Sequence, residues 1–415
     1  VTTPVMLLEA AGPEAQALAR AAAASGHTVH AVTTATVHAA YPPDLHQLLD
    51  GYLLTDFAHP EQALADITRY AHQIGAAALL TSNEYLTPLC ARACADLGLP
   101  GNDPDRAVAA RDKAAMAQAL EAAGVTTPRT RAITGPGELD ALHAAGHLRY
   151  PCVIKPADGA GSSGVTVVTD PEQLYAAWHA ARSVETMYGM PRAYGALAQD
   201  YVTGREFSVE SLTQDGATTH LGITRKHLTA GAHRVETGHS LPARLAPADE
   251  AKLHEQTEKA IAAVGIRNGA SHTELILTPG GRCTVLEIGA RLGAGHIGVL
   301  IQHALGIDPW QALWDIALGR PPKVAAQSSN YATVRFLTSP AAGRLVSVNG
   351  LPDIGERTPA VHLRCAKGNL VAPAASNRGR LGHIIVTGHD PAAVDHLAEK
   401  FLRQITVTID TGSPA

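Results

Sequence analysis

The stretch HTELILTPGGRCTVLEIGARLG, residues 272–293, decides how this chain is read. Two alternating runs, HTELIL and RCTVLEI, flank the turn signal Thr278-Pro279-Gly280-Gly281, which predicts an antiparallel hairpin. Centred on Gly280-Gly281, that hairpin sets Glu274 opposite Glu287, with Leu275, Leu277, Leu286 and Ile288 on the other face. The apolar face is expected on the core, where it fixes the register. Opposed like charges destabilise a sheet. A divalent cation reverses that sign, and carboxylates are natural ligands for Mg²⁺ bound together with substrate phosphates. Two solvated carboxylates would give the same pattern, so the reading rests on what surrounds the hairpin.

Downstream, GARLGAGHIG (289–298) opens an apolar helix that runs to about Leu305. A Gly-rich turn at a helix N-terminus offers free N–H groups to an anion, and Arg291 within it suits a carboxylate or phosphoryl group. Upstream, the strand PCVIKP leads into DGAGSSG (158–164) and a second strand from Val165. Glycines and serines between two strands present N–H groups and hydroxyls to phosphate, with Lys155 alongside. The order is not the Walker pattern, which needs Gly-Lys-Ser/Thr entering a helix. Gln199 to Glu206 leads into the strand FSVESL, and Glu236-Thr237-Gly238-His239 follows Arg225-Lys226-His227. Taken singly, each of these also suits a surface turn.

Residues 1–100 alternate strand and helix signals: Val5–Leu8, a helix to about Ala24, His27–Val32, Gly75–Leu80, and a helix stopping at Gly98. Such alternation predicts a parallel sheet covered on both faces. The first turn lacks G-x-G-x-x-G, so no dinucleotide fingerprint is present. One helix is expected from about Asp105 to Ala123, and a final unit from 331 mixes strands with a helix at 391–403. The 415 residues correspond to about two to four domains. Lys plus Arg number 33 against 38 Asp plus Glu, a net charge of −5, which excludes the basic excess of a nucleic-acid binder. Aromatics are 4%, too few for base-stacking platforms. The start VTTPVMLLEAAG has no basic leader, no apolar run approaches a bilayer span, and the five cysteines contain no C-x-x-C pair. A reduced, cytoplasmic protein is expected.

These segments, in this order, resemble the ATP-grasp superfamily of carboxylate–amine ligases. The resemblance runs through LGLPGNDPDRAVAARDKAAMAQALEAAGVTTPR (97–129), YPCVIKPADGAGSSGV (150–165), AQDYVTGREFSVE (198–210) and ELILTPGGRCTVLEIGARLG (274–293). The E-x-G-H segment at 236–239 and ATVRFLTSPAAGRLVSVNGL (332–351) are most similar to L-amino acid ligases, the bacilysin-synthetase-like dipeptide ligases. The resemblance implies a mixed α/β and α+β ATP-grasp fold. Its expected parts are an N-terminal Rossmann-like domain (1–110), a lid subdomain (111–195), a catalytic antiparallel-sheet subdomain (196–330) and a C-terminal α+β domain (331–415).

It also implies roles. Lys113 and Lys155 would contact ATP phosphates under a lid of Gly159, Gly161, Ser162, Ser163 and Gly164. Gln199, Tyr201 and Val202 would line the adenine, and Glu206 would hold the ribose. Glu274 and Glu287 would bind Mg²⁺ or Mn²⁺. Arg291, Lys155 and Glu236 would be catalytic, with Glu236 orienting the incoming ammonium or taking its proton. Glu236, His239, Arg291, Ala294 and Gly295 would meet the substrates. Two departures stand out: Ile288-Gly289 supplies no third metal ligand after Glu287, and the small Ala294-Gly295 pair implies a roomier acyl pocket. The implied partners are small-molecule carboxylates and amines, with neither nucleic acid nor membrane, and a homodimer is the assembly common among such proteins. The rival readings are a carboxylase-type or D-Ala–D-Ala-type ligase, and a nucleotide-binding protein without catalysis.

Overall fold

The computed structural model describes residues 2–185, 187–190 and 195–412. Four parallel strands open the fold, in the spatial order Gly51–Leu54, Thr28–Thr33, Pro4–Leu8, Ala78–Leu80. Val5–Leu8 is apolar at every position because both faces of a covered parallel sheet are buried. Met6 and Leu8 cluster with Phe57, Ile67 and Leu86, whereas Val5 and Leu7 cluster with Leu18, Trp310 and Trp314. The two tryptophans belong to the helix Pro309–Ala317, so the first sheet shares a core with the rest of the molecule. Trp314 is fully buried and donates its Nε1–H to the Leu18 carbonyl at 2.8 Å.

A second, antiparallel sheet orders Thr130–Ile133, Ala196–Asp200, Cys152–Lys155 and Thr166–Val168. The helix Leu174–Arg182 backs it, with Trp178 in its core. The glycine-rich loop joins its last two strands. Because Ala196–Asp200 pairs here, this layer continues past the expected border at 195.

The third sheet has eight antiparallel strands: Cys283–Gly289, Gly269–Leu277, Arg205–Gln214, Ala217–Leu228, Glu236–Leu241, Tyr331–Thr338, Arg380–Gly388 and Ala360–Leu363. Pairing of Glu236–Leu241 with Tyr331–Thr338 carries the sheet across the expected border at 330 without a break. The mixed layout read from the sequence is the one the sheets adopt. No helix among the described residues is long and apolar enough to cross a membrane.

Two local expectations are corrected. The hairpin loop has three residues: Thr278 N–H donates to Arg282 O at 2.9 Å, Gly281 N–H donates to Thr278 O at 2.9 Å, and Gly281 is left-handed (φ 74°). A type I turn followed by a left-handed glycine is the usual three-residue solution. The shift this introduces pairs Leu275 with Val285, and a bulge at Leu286 then restores Glu274 opposite Glu287. Val285 therefore takes the core position expected for Leu286, which turns to the cleft face instead.

The expected helix from Asp105 to Ala123 is also interrupted. A 3-10 turn over Ala107–Ala110 ends at Arg111, and a new helix, Lys113–Ala122, starts after the N-cap Asp112. The Asp112 carboxylate accepts from the Ala114 and Ala115 N–H groups, both at 2.9 Å, offering the backbone an alternative to a continuous helix. The break aims Arg111 and Lys113 into the interior. Replacing Asp112 by Ala is expected to lower the unfolding free energy by about 1 kcal/mol in urea titrations, with Asp112→Asn costing less. Equal stability of both variants with wild type would show that the cap is idle.

Candidate active site

The second and third sheets enclose a cleft lined by Lys113, Lys155, Glu206, Glu274, Glu287 and Arg291. The hairpin register places both glutamates on its wall. Glu274 Oε1 lies 2.7 Å from Lys226 Nζ and 3.1 Å from His272 Nε2. Glu287 Oε1 lies 2.8 Å from Lys113 Nζ. Both carboxylates stay partly open to the cleft, with side chains 24% and 26% exposed. No cluster of three His, Cys, Asp or Glu side chains forms a protein cage there among the described residues. Two accessible carboxylates beside an anion cradle fit Mg²⁺ or Mn²⁺ bound together with phosphate.

Lys113, at the first position of its helix, also donates to Gly159 O at 2.7 Å. Burial presses its pKa down, but the Glu287 and Glu84 carboxylates outweigh this and raise it. Among the described residues Lys155 has no such direct carboxylate partner; it donates to Gln199 Oε1 at 3.0 Å. Burial therefore prevails and lowers its pKa to about 8. Gln199 is tied on its other side to Thr130 Oγ1 at 2.9 Å, which leaves the backbone beside Tyr201 and Val202, both on the cleft wall, to meet a ligand. In the glycine-rich loop, Gly161 (φ 63°) and Ser162 (φ 59°) are left-handed. Gly159, Gly161, Ser162 and Ser163 line the cleft. Gly164 lies behind them, where a Cβ would come within 2.6 Å of Val184.

One buried ammonium organises the far wall. Lys226 Nζ, its side chain 2% exposed, lies 2.7 Å from Glu274, 2.8 Å from Glu236 and 3.4 Å from Glu206. Burial alone would lower its pKa, yet the three carboxylates raise it well above the usual lysine value. Burial raises Glu236 in turn, but Lys226, His239 and Arg380 hold it well below the usual carboxylate range. Glu236 is thus held as an anion by these neighbours. Burial, with the like charges of Glu274 and Glu236, pushes Glu206 up despite Lys226.

His239 does not face the cleft. It is buried behind Glu236, with Nε2 at 3.3 Å from Glu236 Oε2 and Nδ1 at 3.0 Å from Gly295 O. Gly295 is left-handed (φ 71°), and a Cβ there would lie 2.7 Å from His239 Cε1 and 3.4 Å from Phe336 Cζ. The space expected of a small residue at 295 is therefore filled, and Ala294 beside it is exposed away from the cleft wall.

Several partners went unread in the sequence. Arg291 pairs with Glu84 from the N-terminal region and donates to Leu292 O at 2.8 Å. Glu84 also faces Arg111 at 3.6 Å, and Arg111 lies 3.9 Å above the Tyr85 ring and bonds the Asp158 carbonyl. His272 is held between Glu274 and Glu210, whose Oε2 accepts Gly293 N–H at 2.8 Å. Burial opposes its protonation, but the two glutamates raise its pKa to about 9. Asn377 and Arg380, far along the chain, both bind Glu236. A lone Glu in TSNEYL or an Asn in SNRG carries no local signal; Arg111, His272 and Glu210 lay within the quoted motifs, but nothing local marked them as partners.

Comparison with known proteins adds to this geometry. Three family models match in chain order: the ATP-grasp N-terminal domain over 19–101, the ATP-grasp domain over 148–299 and the L-amino acid ligase C-terminal domain 2 over 335–410. Alanine–anticapsin ligase of Bacillus subtilis (strain 168) is 28% identical over 294 residues, 63% of this chain and 61% of that protein. Dapdiamide A synthase of Enterobacter agglomerans is 30% identical over 207 residues, 49% of this chain and 48% of that protein. The chain thus spans about three fifths or less of the length of these relatives. A solved L-amino acid ligase from Bacillus licheniformis shares the fold, with a TM-score of 0.82 at 20% identity over 99% of each chain.

The lowered pKa of Lys155 has a measurable sign. Phosphate charge beside it favours the ammonium, so a nucleotide binding at about pH 8.5, above the Lys155 pKa of about 8, draws in a proton. Calorimetry in buffers of different ionisation heat should show this uptake with a non-hydrolysable ATP analogue, and show less of it in Lys155→Arg. Equal uptake in the two proteins would disprove the assignment.

Proposed function

From the premise that this chain is a member of the ATP-grasp superfamily, we propose that it is an ATP-dependent carboxylate–amine ligase that joins two amino acids into a dipeptide or a related amide. The observation that carries the reading is the facing pair Glu274 and Glu287 in one cleft with Lys113, Lys155, the glycine-rich loop and Arg291. ATP-grasp proteins use ATP with Mg²⁺ or Mn²⁺. The ion, when bound by Glu274 and Glu287, supplies positive charge to the transferring phosphoryl group. The setting we propose is cytoplasmic, in keeping with five free cysteines, and the partners are small molecules.

The first step is attack by a substrate carboxylate oxygen on the γ-phosphorus of ATP. The bond to the β,γ-bridging oxygen breaks and ADP leaves with that electron pair, giving an acyl-phosphate. Carboxylates need this activation because oxide is a poor leaving group. Lys113, Lys155 and Arg291 spread the developing charge, and catalysis is mainly positioning and electrostatics. Gly159–Ser163 close over the phosphates and exclude water that would hydrolyse the intermediate. In the second step an amine nitrogen adds to the acyl carbon, the bond to phosphate breaks, and phosphate departs. The ammonium sheds two protons in all, one before attack and one as the amide forms. Glu236, held as an anion, orients that ammonium. Glu206 receives the ribose hydroxyls, and Gln199, Tyr201 and Val202 border the adenine. His239 acts from behind, by holding Glu236.

A direct test is phosphate release with ATP and Mg²⁺ across pairs of L-amino acids, D-alanine and β-alanine, followed by product masses. Release that requires two amino acids, with a product one water lighter than their sum, is expected. Release that needs bicarbonate, or D-alanine alone, would replace the reading. Glu287→Ala is expected to slow phosphate release at least about 100-fold, and normal turnover in that variant would remove the metal assignment.

A further inference from the structure

The segment Ser376–Arg380 has no role in the steps above, yet it reaches both ends of the reaction. Asn377 opens a 3-10 turn, Asn377–Gly379, capped by the Ser376 side chain. Its backbone N–H donates to Gly161 O, in the glycine-rich loop, at 3.0 Å. Its side chain binds Glu236 twice: Oδ1 accepts the Glu236 N–H at 3.2 Å, and Nδ2 donates to Glu236 Oε2 at 2.9 Å. Arg380 completes the grip, donating from Nη2 to Glu236 Oε2 at 2.7 Å and from Nε to Glu236 O at 3.1 Å. Its guanidinium lies 3.6 Å above the Phe336 ring, which fixes the arm.

The two attachments differ in kind. The loop is held by the Asn377 backbone, whereas Glu236 is held by its side chain, and only three rotatable bonds separate them. When Gly161 is in place the turn is fixed, and the amide of Asn377 is aimed at Glu236. When the loop lifts, that restraint is lost. Linkage makes the effect reciprocal: whatever favours Glu236 in its clamped position favours the closed loop by the same factor.

We propose that Asn377 is a positioning residue that couples closure of the glycine-rich loop over the phosphates to placement of Glu236 for the incoming ammonium. The inference rests on the ligase reading given above. Its consequence is economy of the activated intermediate: the acyl-phosphate stays sealed from water while the amine site is set.

The test uses the full chain and two variants. Asn377→Ala keeps the backbone bond to Gly161 and deletes both bonds to Glu236. Asn377→Asp preserves the shape but sets a second carboxylate against Glu236, so a folded variant is at hand if the first is unstable. Amide formed per phosphate released is expected to fall about ten-fold in each, and the KM for the amine to rise by a similar factor. Hydrogen exchange at residues 159–163, measured with a non-hydrolysable ATP analogue, is expected to quicken in both. Wild-type stoichiometry, amine KM and exchange in the variants would overturn the coupling. Absence of phosphate release from wild type with every pair would overturn the ligase reading instead, and the exchange comparison, which needs no turnover, would still decide whether Asn377 holds the loop.

Discussion

Everything in the cleft depends on the buried ammonium of Lys226. An isolated charge in that position would be too costly to keep, and three carboxylates converging without it would repel one another. Together they form a compact network whose members come from four strands: Glu206 from Arg205–Gln214, Lys226 from Ala217–Leu228, Glu236 from Glu236–Leu241 and Glu274 from Gly269–Leu277. Sheet register sets their separations, so the three acids are aligned by backbone hydrogen bonding before any ligand arrives. Removing the lysine would leave three negative groups without their common partner, the severe way to break a buried ion network.

A second network ties this sheet to the rest of the molecule. Glu84 from the N-terminal region meets Arg291 and Arg111, and Arg111 in turn bonds the loop carbonyl of Asp158. Burial would raise Glu84, but Arg291, Lys113 and Arg111 lower its pKa to about 2. The same junction is sealed by apolar packing around Trp310 and Trp314, so the N-terminal sheet serves the site by charge as well as support. On the other flank, Glu210 and His272 connect Glu274 to the backbone of Gly293. A Cβ on Gly293 would come within 2.6 Å of His272 Nδ1, which explains the glycine there. Glu274 and the turn carrying Arg291 are therefore mechanically linked.

The hairpin shows where local pattern suffices and where it fails. Alternation and the Thr-Pro-Gly-Gly turn put Glu274 opposite Glu287, and the structure pairs them. The agreement hides two compensating departures, a longer loop and a bulge at Leu286. A bulge follows from how neighbouring strands and the cleft compete for side chains, and nothing in LEI announces it. Likewise, His239 sits in an E-x-G-H segment beside Glu236, but whether its ring meets a ligand or stands behind a carboxylate depends on the facing Gly295 and Phe336.

The sequence by itself determined the mixed sheet architecture, the order of its layers, and the residues that bear charge or glycine at the cleft. The N-terminal alternation, the acidic hairpin and the glycine-rich turns follow from short-range periodicity and turn chemistry, which act over a few residues, whereas the order of the layers is what the resemblance to ATP-grasp ligases implies. Tertiary structure alone decided that Glu84, Arg111, Asn377 and Arg380 join the site, that Glu236 is a clamped anion, that Lys155 and Lys113 differ in proton affinity, and that strands on both sides of residue 330 form one sheet. Each of these depends on burial and on contacts between distant segments, where desolvation and Coulomb attraction are set by geometry that no local window contains.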